Sequence, residues 1–174
     1  MIKKAICKTG WKYTINVIAT MRTADGLGFN DFVILGKKKL DIEWIKRVAK
    51  RTLVDFVGGL HLFYLPDIDS FFKFVEEKNY TPVVMETNQG ENMDSFKWPL
   101  NPIIIIGHEV EGIPMQYFSG AQKMHMNMVR TAISLNLACA ASIAMYSFHL
   151  YETKLENKSS WINAKDSPST GMKA

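Results

Sequence analysis

Four consecutive isoleucines at positions 103–106 constrain the fold of this chain more than any other feature. A run of β-branched residues without polar alternation is typical of a strand that is covered on both faces, as in a parallel sheet. The run is followed by a glycine, by Glu109 and by a second glycine, Gly112. Because open α/β sheets bind ligands beyond the carboxyl ends of their strands, the sequence predicts a ligand site directly after this strand.

Short apolar runs alternate with helical periods along the chain, which predicts a single α/β domain with a mainly parallel sheet flanked by helices. The 174 residues are enough for one sizeable core. We expect the domain to span residues 1–153 and a polar, mobile tail to span residues 154–174. The pattern predicts strands over 4–8, 32–35, 60–65, 81–86, 103–107 and 123–128, and helices over 15–27, 41–53, 67–78, 114–118 and 134–153.

Three features of the sequence limit the functional classes to which the chain can belong: its charge, its cysteines and its longest apolar segment. A formal charge of +4 is too small to indicate nucleic-acid binding by itself. Cys7 and Cys139 lie far apart and form no CxxC, which argues against a disulfide scaffold and predicts a reducing compartment, the cytoplasm. No segment has the apolar pattern of a signal peptide. Residues 132–151 carry several polar side chains, so we expect a buried helix and no membrane partner.

The segment 107–112 lacks two familiar ligand-binding patterns. A zinc protease helix requires HExxH, but Gly112 stands where the second histidine is needed, so no metal site is predicted. A dinucleotide-binding turn requires a central glycine, and Glu109 stands there instead. Taken alone, the segment is equally consistent with a ligand site and with an ordinary turn that exposes Glu109 to solvent.

Two further segments carry polar residues that have a structural as well as a functional explanation. Ser134 is a typical N-cap for the last predicted helix. Asn136 falls in the apolar first turn of that helix, where an amide must find hydrogen-bond partners or cost stability. Asn16 can cap the helix over 15–27, and Arg22 can lie on its solvated face. Each residue alone leaves both explanations open.

Taken together, the three segments resemble motifs one to three of the SpoU/TrmH-type RNA ribose 2′-O-methyltransferases, within the SPOUT superfamily. The resemblance runs from about residue 3 to residue 152, and the order and spacing of the three motifs agree with the family pattern. The matching segments are residues 16–24 with 26–29 for motif one, residues 103–113 for motif two, and residues 126–128, 134–136 and 151–152 for motif three.

The resemblance implies an α/β fold whose C-terminal segment forms a deep trefoil knot, which is an exception to the rule that chains do not thread loops. It also implies a homodimer and S-adenosylmethionine as the cofactor, held in the knot by backbone and small residues. The residues that the resemblance assigns to the cofactor are Glu86, Gly107, Met126, Met128 and Ser134.

The implied reaction is methyl transfer from a sulfonium to a ribose 2′-hydroxyl, which is a poor nucleophile and needs help to lose its proton. The family assigns this step to the motif-one arginine, here Arg22. A guanidinium normally stays protonated, so stabilising an alkoxide or holding a phosphate describes its role equally well. The resemblance implies that Arg22 converges with four other catalytic residues around the methyl donor: Asn16, Glu109, Ser134 and Asn136.

The substrate that the resemblance favours is tRNA, because members acting on ribosomal RNA commonly carry an extra N-terminal domain and motif one begins here by residue 16. Two alternatives stay open. Ile18, Asn127 and Arg130 depart from the family pattern, which suggests a catalytically inactive RNA-binding dimer; the other alternative is an unrelated nucleotide-binding α/β protein. Basic residues that could contact RNA phosphates are Lys37, Lys38, Lys39, Lys46, Arg47, Lys50 and Arg51.

Overall fold

A computed structural model describes residues 2–41, 43, 59–86, 89–129 and 134–165 of the chain. Its strands are β1 (Ala5–Lys8), β2 (Asp31–Leu35), β3 (His61–Leu65), β4 (Thr81–Met85), β5 (Glu91–Asn92), β6 (Pro102–Ile106) and β7 (Gln122–His125). The helices are α1 (Thr14–Gly26), α2 (Ile68–Lys78) and α3 (Leu137–Lys165), with a 3₁₀ helix at Met115–Tyr117.

The seven strands form one sheet in the order β3-β2-β1-β6-β4-β7-β5. Every pair of neighbouring strands is parallel, so all seven carboxyl ends lie at the same edge of the sheet. Helices pack on both faces of this sheet. The predicted single-domain α/β fold is thereby confirmed.

The isoleucine run forms β6, which lies between β1 and β4. Ile104 and Ile106 belong to the core that contains α1 and α3, whereas Ile103 and Ile105 belong to the core under α2. All four side chains are buried. Because successive side chains of a strand point to opposite faces, a strand covered on both sides needs apolar residues at every position.

Helices α1 and α3 pack against each other on one face of the sheet. The hydroxyls of Thr23 and Ser142 lie 3.0 Å apart across their contact. Lys4, next to β1, forms a largely buried ion pair with Glu152 of α3, and its ammonium lies over the ring of Phe148. These contacts fix α3 against α1 and against the amino end of β1. None of the helices in the described ranges is long and apolar enough to cross a membrane.

The structure corrects several predicted boundaries. The last helix begins at Leu137 rather than at residue 134, and it continues to Lys165, so the described part of the predicted tail is helical. The two-residue strand β5 lies in a segment that we expected to be a loop, because two polar residues carry no apolar pattern.

Two predictions fall on parts of the chain outside the described residues. The helix over 41–53 is described only at residues 41 and 43. The trefoil knot depends on the path of the chain between β7 and α3, which includes residues 130–133 outside the described ranges. The knot therefore stays a prediction.

Candidate active site at the carboxyl edge of the sheet

A cavity of about 470 Å³ opens at the carboxyl ends of β4 and β6, between the beginnings of α1 and α3. Its volume lies in the range of small-molecule sites. All five residues assigned to the cofactor line it: Glu86, Gly107, Met126, Met128 and Ser134. Three of the five predicted catalytic residues line it as well, in addition to Ser134: Asn16, Glu109 and Asn136.

The turn after β6 is closed by its own hydrogen bonds. The backbone N–H groups of His108 and Gly112 each donate to the other residue's carbonyl, at 2.9 and 3.0 Å. Gly112 has a φ of +69°, which glycine adopts without strain. A methyl group on Gly107 would lie only 2.7 Å from the carbonyl carbon of Gly112. The two glycines of motif two are therefore required by the shape of the turn.

Glu109 extends from this turn toward the amino end of α1. Its Oε1 accepts a hydrogen bond from Asn16 Nδ2 at 2.9 Å, and its Oε2 accepts one from the backbone N–H of Lys12 at 2.8 Å. Burial alone would raise the pKa of Glu109, but these hydrogen bonds and the charge of Lys8 outweigh it and hold the pKa below its usual range. The side chain is therefore a carboxylate at neutral pH.

Asn136 connects the same network to α3. Its Nδ2 donates to Asn16 Oδ1 at 3.1 Å, and its Oδ1 accepts from the N–H groups of Ala138 at 2.9 Å and Cys139 at 3.3 Å. Asn136 is thus the N-cap of α3, and the prediction that Ser134 caps the helix was wrong. The reason is that the chain enters the helix only at Leu137, where the amide of Asn136 satisfies the free N–H groups of the first turn.

Arg22 is the one predicted catalytic residue that does not line the cavity within the described chain. It is exposed on α1, does not line the cavity and forms no ion pair with Glu109. It follows Asn16 by six residues, which separates the two by about 9 Å along the helix axis. Arg22 instead shares one face of α1 with Ala19 and with the exposed Ile15.

Lys8 is a residue of the site that the sequence did not predict. Its side chain is 1% exposed, and its Nζ lies 3.7 Å from Glu109 Oε1 and donates to the carbonyl of Gly107 at 3.3 Å. Burial lowers the pKa of Lys8 from 10.5 to about 8, although the neighbouring carboxylate of Glu109 opposes that shift. The signal in the sequence was a lysine at the end of an apolar strand, where a charge needs a partner.

Of the three departures from the family pattern, two can be located. Ile18 is buried in the core between α1 and the sheet and does not line the cavity. Asn127 lies between two lining residues, Met126 and Met128, without lining the cavity itself. Arg130 lies outside the described residues. The departures at Ile18 and Asn127 therefore leave the cavity open.

The lining of the cavity suits a ligand that combines an apolar group with a positive charge. Ile106, Leu137 and Ala140 provide apolar walls, and the carboxyl groups of Glu86 and Glu109 reach the same space. S-adenosylmethionine has both features, an adenine ring and a sulfonium cation. The residues present therefore fit this cofactor.

The family model described as the SpoU rRNA Methylase family matches residues 6–146 of the chain. None of the curated protein sequences matches it.

Solved structures of low sequence identity share the fold. The SpoU methyltransferase AviRb from Streptomyces viridochromogenes, in complex with AdoMet, is 18% identical over 88% of this chain with a TM-score of 0.74, and the chain spans only 61% of AviRb. The TrmH/SpoU tRNA modifying enzyme of A. aeolicus is 17% identical over 90% of this chain and 78% of its own, with a TM-score of 0.72. A protein studied for the 2-OH methylation of C/U34 on tRNA is 17% identical over 83% of this chain and 93% of its own, with a TM-score of 0.71.

Proposed function

Because the chain belongs to the SpoU rRNA methylase family, we propose that it methylates the 2′-hydroxyl of a ribose in tRNA, with S-adenosylmethionine as the methyl donor. The observation that carries the proposal is the network of Glu109, Asn16 and Asn136 at the wall of the cavity. These three residues come from three separate parts of the chain and meet at one wall of the cavity, which supports the proposal.

The cofactor would be held by the residues at the carboxyl ends of β4, β6 and β7. Glu86, Gly107, Met126, Met128 and Ser134 line the cavity there. When bound, S-adenosylmethionine supplies an activated methyl group on a sulfonium. Gly107 and Gly112 line the cavity and carry no side chains, so an adenosine group could contact the main chain there.

Glu109 and Asn16 would orient the ribose of the substrate. Oε1 of Glu109 lies against Asn16 and Lys8, and its Oε2 accepts from the N–H of Lys12, so the carboxylate is fixed before the substrate binds. Such fixed groups stabilise developing charge without reorganisation during the reaction. As the oxygen of the 2′-hydroxyl takes the methyl group, its proton would pass to solvent water, and a guanidinium would stabilise the alkoxide character of the oxygen.

That guanidinium would come from Arg22 of the partner subunit in a homodimer. An apolar stripe on α3 supports this arrangement, because Ile143, Tyr146 and Leu150 recur at helical spacing and are 40–53% exposed. Arg22 shares the exposed face of α1 with Ile15, and α1 packs beside α3. A second copy that covers this surface would bring Arg22 into the interface.

Two of the structures compared above come from proteins that act on tRNA, which supports tRNA as the substrate class. The two cysteines, which form no pair in the structure, are in keeping with a cytoplasmic location. The protein would therefore act on RNA in the cytoplasm.

The test of the reaction is mass spectrometry of RNA nucleosides after bulk tRNA is incubated with the protein and S-adenosylmethionine. We expect a 2′-O-methylated nucleoside, and we expect Arg22→Ala to reduce its formation by roughly 10²- to 10³-fold while cofactor affinity stays nearly unchanged. Arg22→Lys keeps the charge and should retain part of the activity. Full activity in Arg22→Ala contradicts the assignment, and calorimetry that detects no cofactor binding favours a non-catalytic RNA-binding dimer.

Mixing two inactive variants tests whether Arg22 acts across the dimer. A heterodimer of Arg22→Ala and Glu109→Gln subunits would contain one intact site only if Arg22 serves the partner's cavity. An equal mixture of exchanging subunits should therefore recover about a quarter of the wild-type activity. If subunit exchange has been verified and no activity is recovered, Arg22 serves its own chain or plays no part in the reaction.

A further inference from the structure

A second cavity, of about 300 Å³, lies beside the first at the carboxyl ends of β1, β2 and β6. After β1 the chain builds β2 and β3 on one side and then returns to the other side for β4 and β6. A parallel sheet opens a crevice where its strand order reverses in this way, and ligands bind there. The cavity therefore lies at the place where this topology favours a site.

The walls of the second cavity are fixed by contacts between two loops. Trp11, after β1, is only 3% exposed. Lys38, after β2, donates from Nζ to the carbonyl of Trp11 at 3.3 Å, and its ammonium lies 4.8 Å from the centre of the indole ring. Gly36 has a φ of +127°, a conformation that other residues rarely adopt, so the second loop turns sharply before the lysines.

The side chains that line this cavity mostly carry hydrogen-bond donors. Two of the lining residues, Lys37 and Lys38, are basic, and Glu111 is the one acidic side chain among the described lining residues. His108 Nδ1 accepts from the N–H groups of Val110 and Glu111, so its neutral ring carries the proton on Nε2.

The ring edge of His108 that carries Nε2 faces the second cavity. A methyl group on Gly10, which lines this cavity, would lie 3.5 Å from Cδ2 of His108, the atom bonded to Nε2. The Nε2–H donor therefore joins the two lysines on one side of the cavity. Such a lining suits an anion.

His108 lines both cavities, and the next residue is Glu109. In RNA, the carbon that bears the 2′-hydroxyl is bonded to the carbon that bears the 3′-phosphodiester. A ribose whose 2′-hydroxyl lies against Glu109 and Asn16 therefore has its 3′-phosphate within a few bonds of that position. We propose that the second cavity binds the phosphodiester on the 3′ side of the methylated ribose, with Lys37, Lys38 and His108 as donors. This inference rests on the proposed function.

The test compares single lysine substitutions within one run of the sequence. Lys37 and Lys38 line the cavity. The neighbouring Lys39, which the sequence also suggested as an RNA contact, is exposed and absent from the described lining, so the proposed subsite excludes it. Lys73 lies in the middle of α2 and is absent from the described lining of both cavities. Affinity for bulk tRNA is measured without cofactor over a range of KCl concentrations. Lys37→Gln and Lys38→Gln should each weaken binding about tenfold and reduce the salt slope by about 0.7–0.9, the value for one phosphate contact. Lys39→Gln and Lys73→Gln should stay close to wild type.

The outcomes separate this inference from the proposed function. If Lys37→Gln and Lys38→Gln bind tRNA with the same salt slope as the two control variants, the subsite is overturned, even when the wild type methylates RNA. If wild-type protein neither binds S-adenosylmethionine nor methylates RNA, but the two cavity lysines still differ from the controls, anion binding at the cavity stands without methyl transfer. Wild-type protein without affinity for tRNA overturns the subsite as well.

Discussion

Two carboxylates, one buried and one largely buried, lie at opposite edges of the same sheet and have different surroundings. Asp31 begins β2 at the amino edge, where its oxygens accept from the hydroxyl of Tyr80 at 2.9 Å and lie 3.1 Å from His61 Nδ1 and 3.8 Å from Lys78 Nζ. Burial raises the pKa of Tyr80, so its hydroxyl stays a donor well into the alkaline range. Asp31 lines neither of the two cavities, and its partners are side chains that close the edge of the core.

Glu109 has as many partners as Asp31, but it lies beyond the carboxyl end of β6 and opens onto a cavity. At the carboxyl edge, loops and the first turns of helices leave a crevice, so a fixed carboxylate there can contact a ligand. At the amino edge, the same chemistry can only stabilise the fold. The comparison indicates that a carboxylate held by several partners can act on a ligand only where the topology gives the ligand access to it.

The largest expected effect comes from Glu109→Gln. Glutamine keeps an acceptor for Asn16 and fills the same volume, but it removes the charge that would fix the partner's guanidinium and the ribose. Methyl transfer per folded molecule should fall by roughly 10²- to 10³-fold. The free energy of unfolding should also fall, by roughly 1–2 kcal/mol, because the buried ammonium of Lys8 loses the carboxylate beside it. The measurement is the rate of methyl transfer to tRNA beside an unfolding curve of the same preparation. If the loss of stability accounts for the whole loss of activity, then Glu109, like Asp31, only stabilises the fold.

The matched change at the other edge is Asp31→Asn. It removes the charge between Lys78 and His61 and weakens the acceptor for Tyr80, so the free energy of unfolding should fall by about 2 kcal/mol. The rate of transfer per folded molecule should equal that of the wild type, since Asp31 lines neither cavity. Equilibrium unfolding in urea gives the first quantity, and assays well below the unfolding midpoint give the second. A specific loss of activity would contradict the separation of the two edges.

The sequence predicted those features that depend on short, continuous segments of the chain. The isoleucine run predicted β6, and the glycines of the following turn predicted the position of Glu109, because both depend on local backbone requirements. Asn136 was identified as a polar residue in need of partners, and its contacts with Asn16 and the first turn of α3 supply them.

The features that the sequence missed depend on where separate segments meet. Lys8 looked like an ordinary strand end, and only the packing of β1 beside β6 brings it to Glu109. The start of α3 was placed too early because Ser134 is as good a cap as Asn136 in sequence, and the approach of Asn16 decides between them. The predicted convergence of Arg22 with Glu109 does not occur within the described part of one chain, and under our proposal a second subunit would supply it.

Lys8→Met is expected to have the smallest effect. It is also the change that most sharpens the comparison between the two edges of the sheet. Methionine fills a similar volume without the charge that lies 3.7 Å from Glu109. Without that charge the pKa of Glu109 should rise, so the acid limb of the pH–activity profile should move up by roughly one pH unit. The profile is measured with tRNA and saturating S-adenosylmethionine, and Lys4→Met serves as a control, because Lys4 is also buried but pairs with Glu152 away from the cavity.

The stability of the Lys8→Met variant should change in the opposite sense to its activity. The folded-state pKa of Lys8, about 8, is below the ordinary 10.5, so below pH 8 the folded protein carries a disfavoured charge. Between pH 8 and 10.5 the unfolded chain binds more protons than the folded one. The contribution of Lys8 to the free energy of unfolding of the wild type therefore rises with pH. Lys8→Met should therefore be more stable than wild type by about 1 kcal/mol at pH 7, and the difference should shrink toward pH 10.5. A variant that is less stable at pH 7 and keeps the wild-type acid limb would mean that Lys8, like Asp31, only supports the fold.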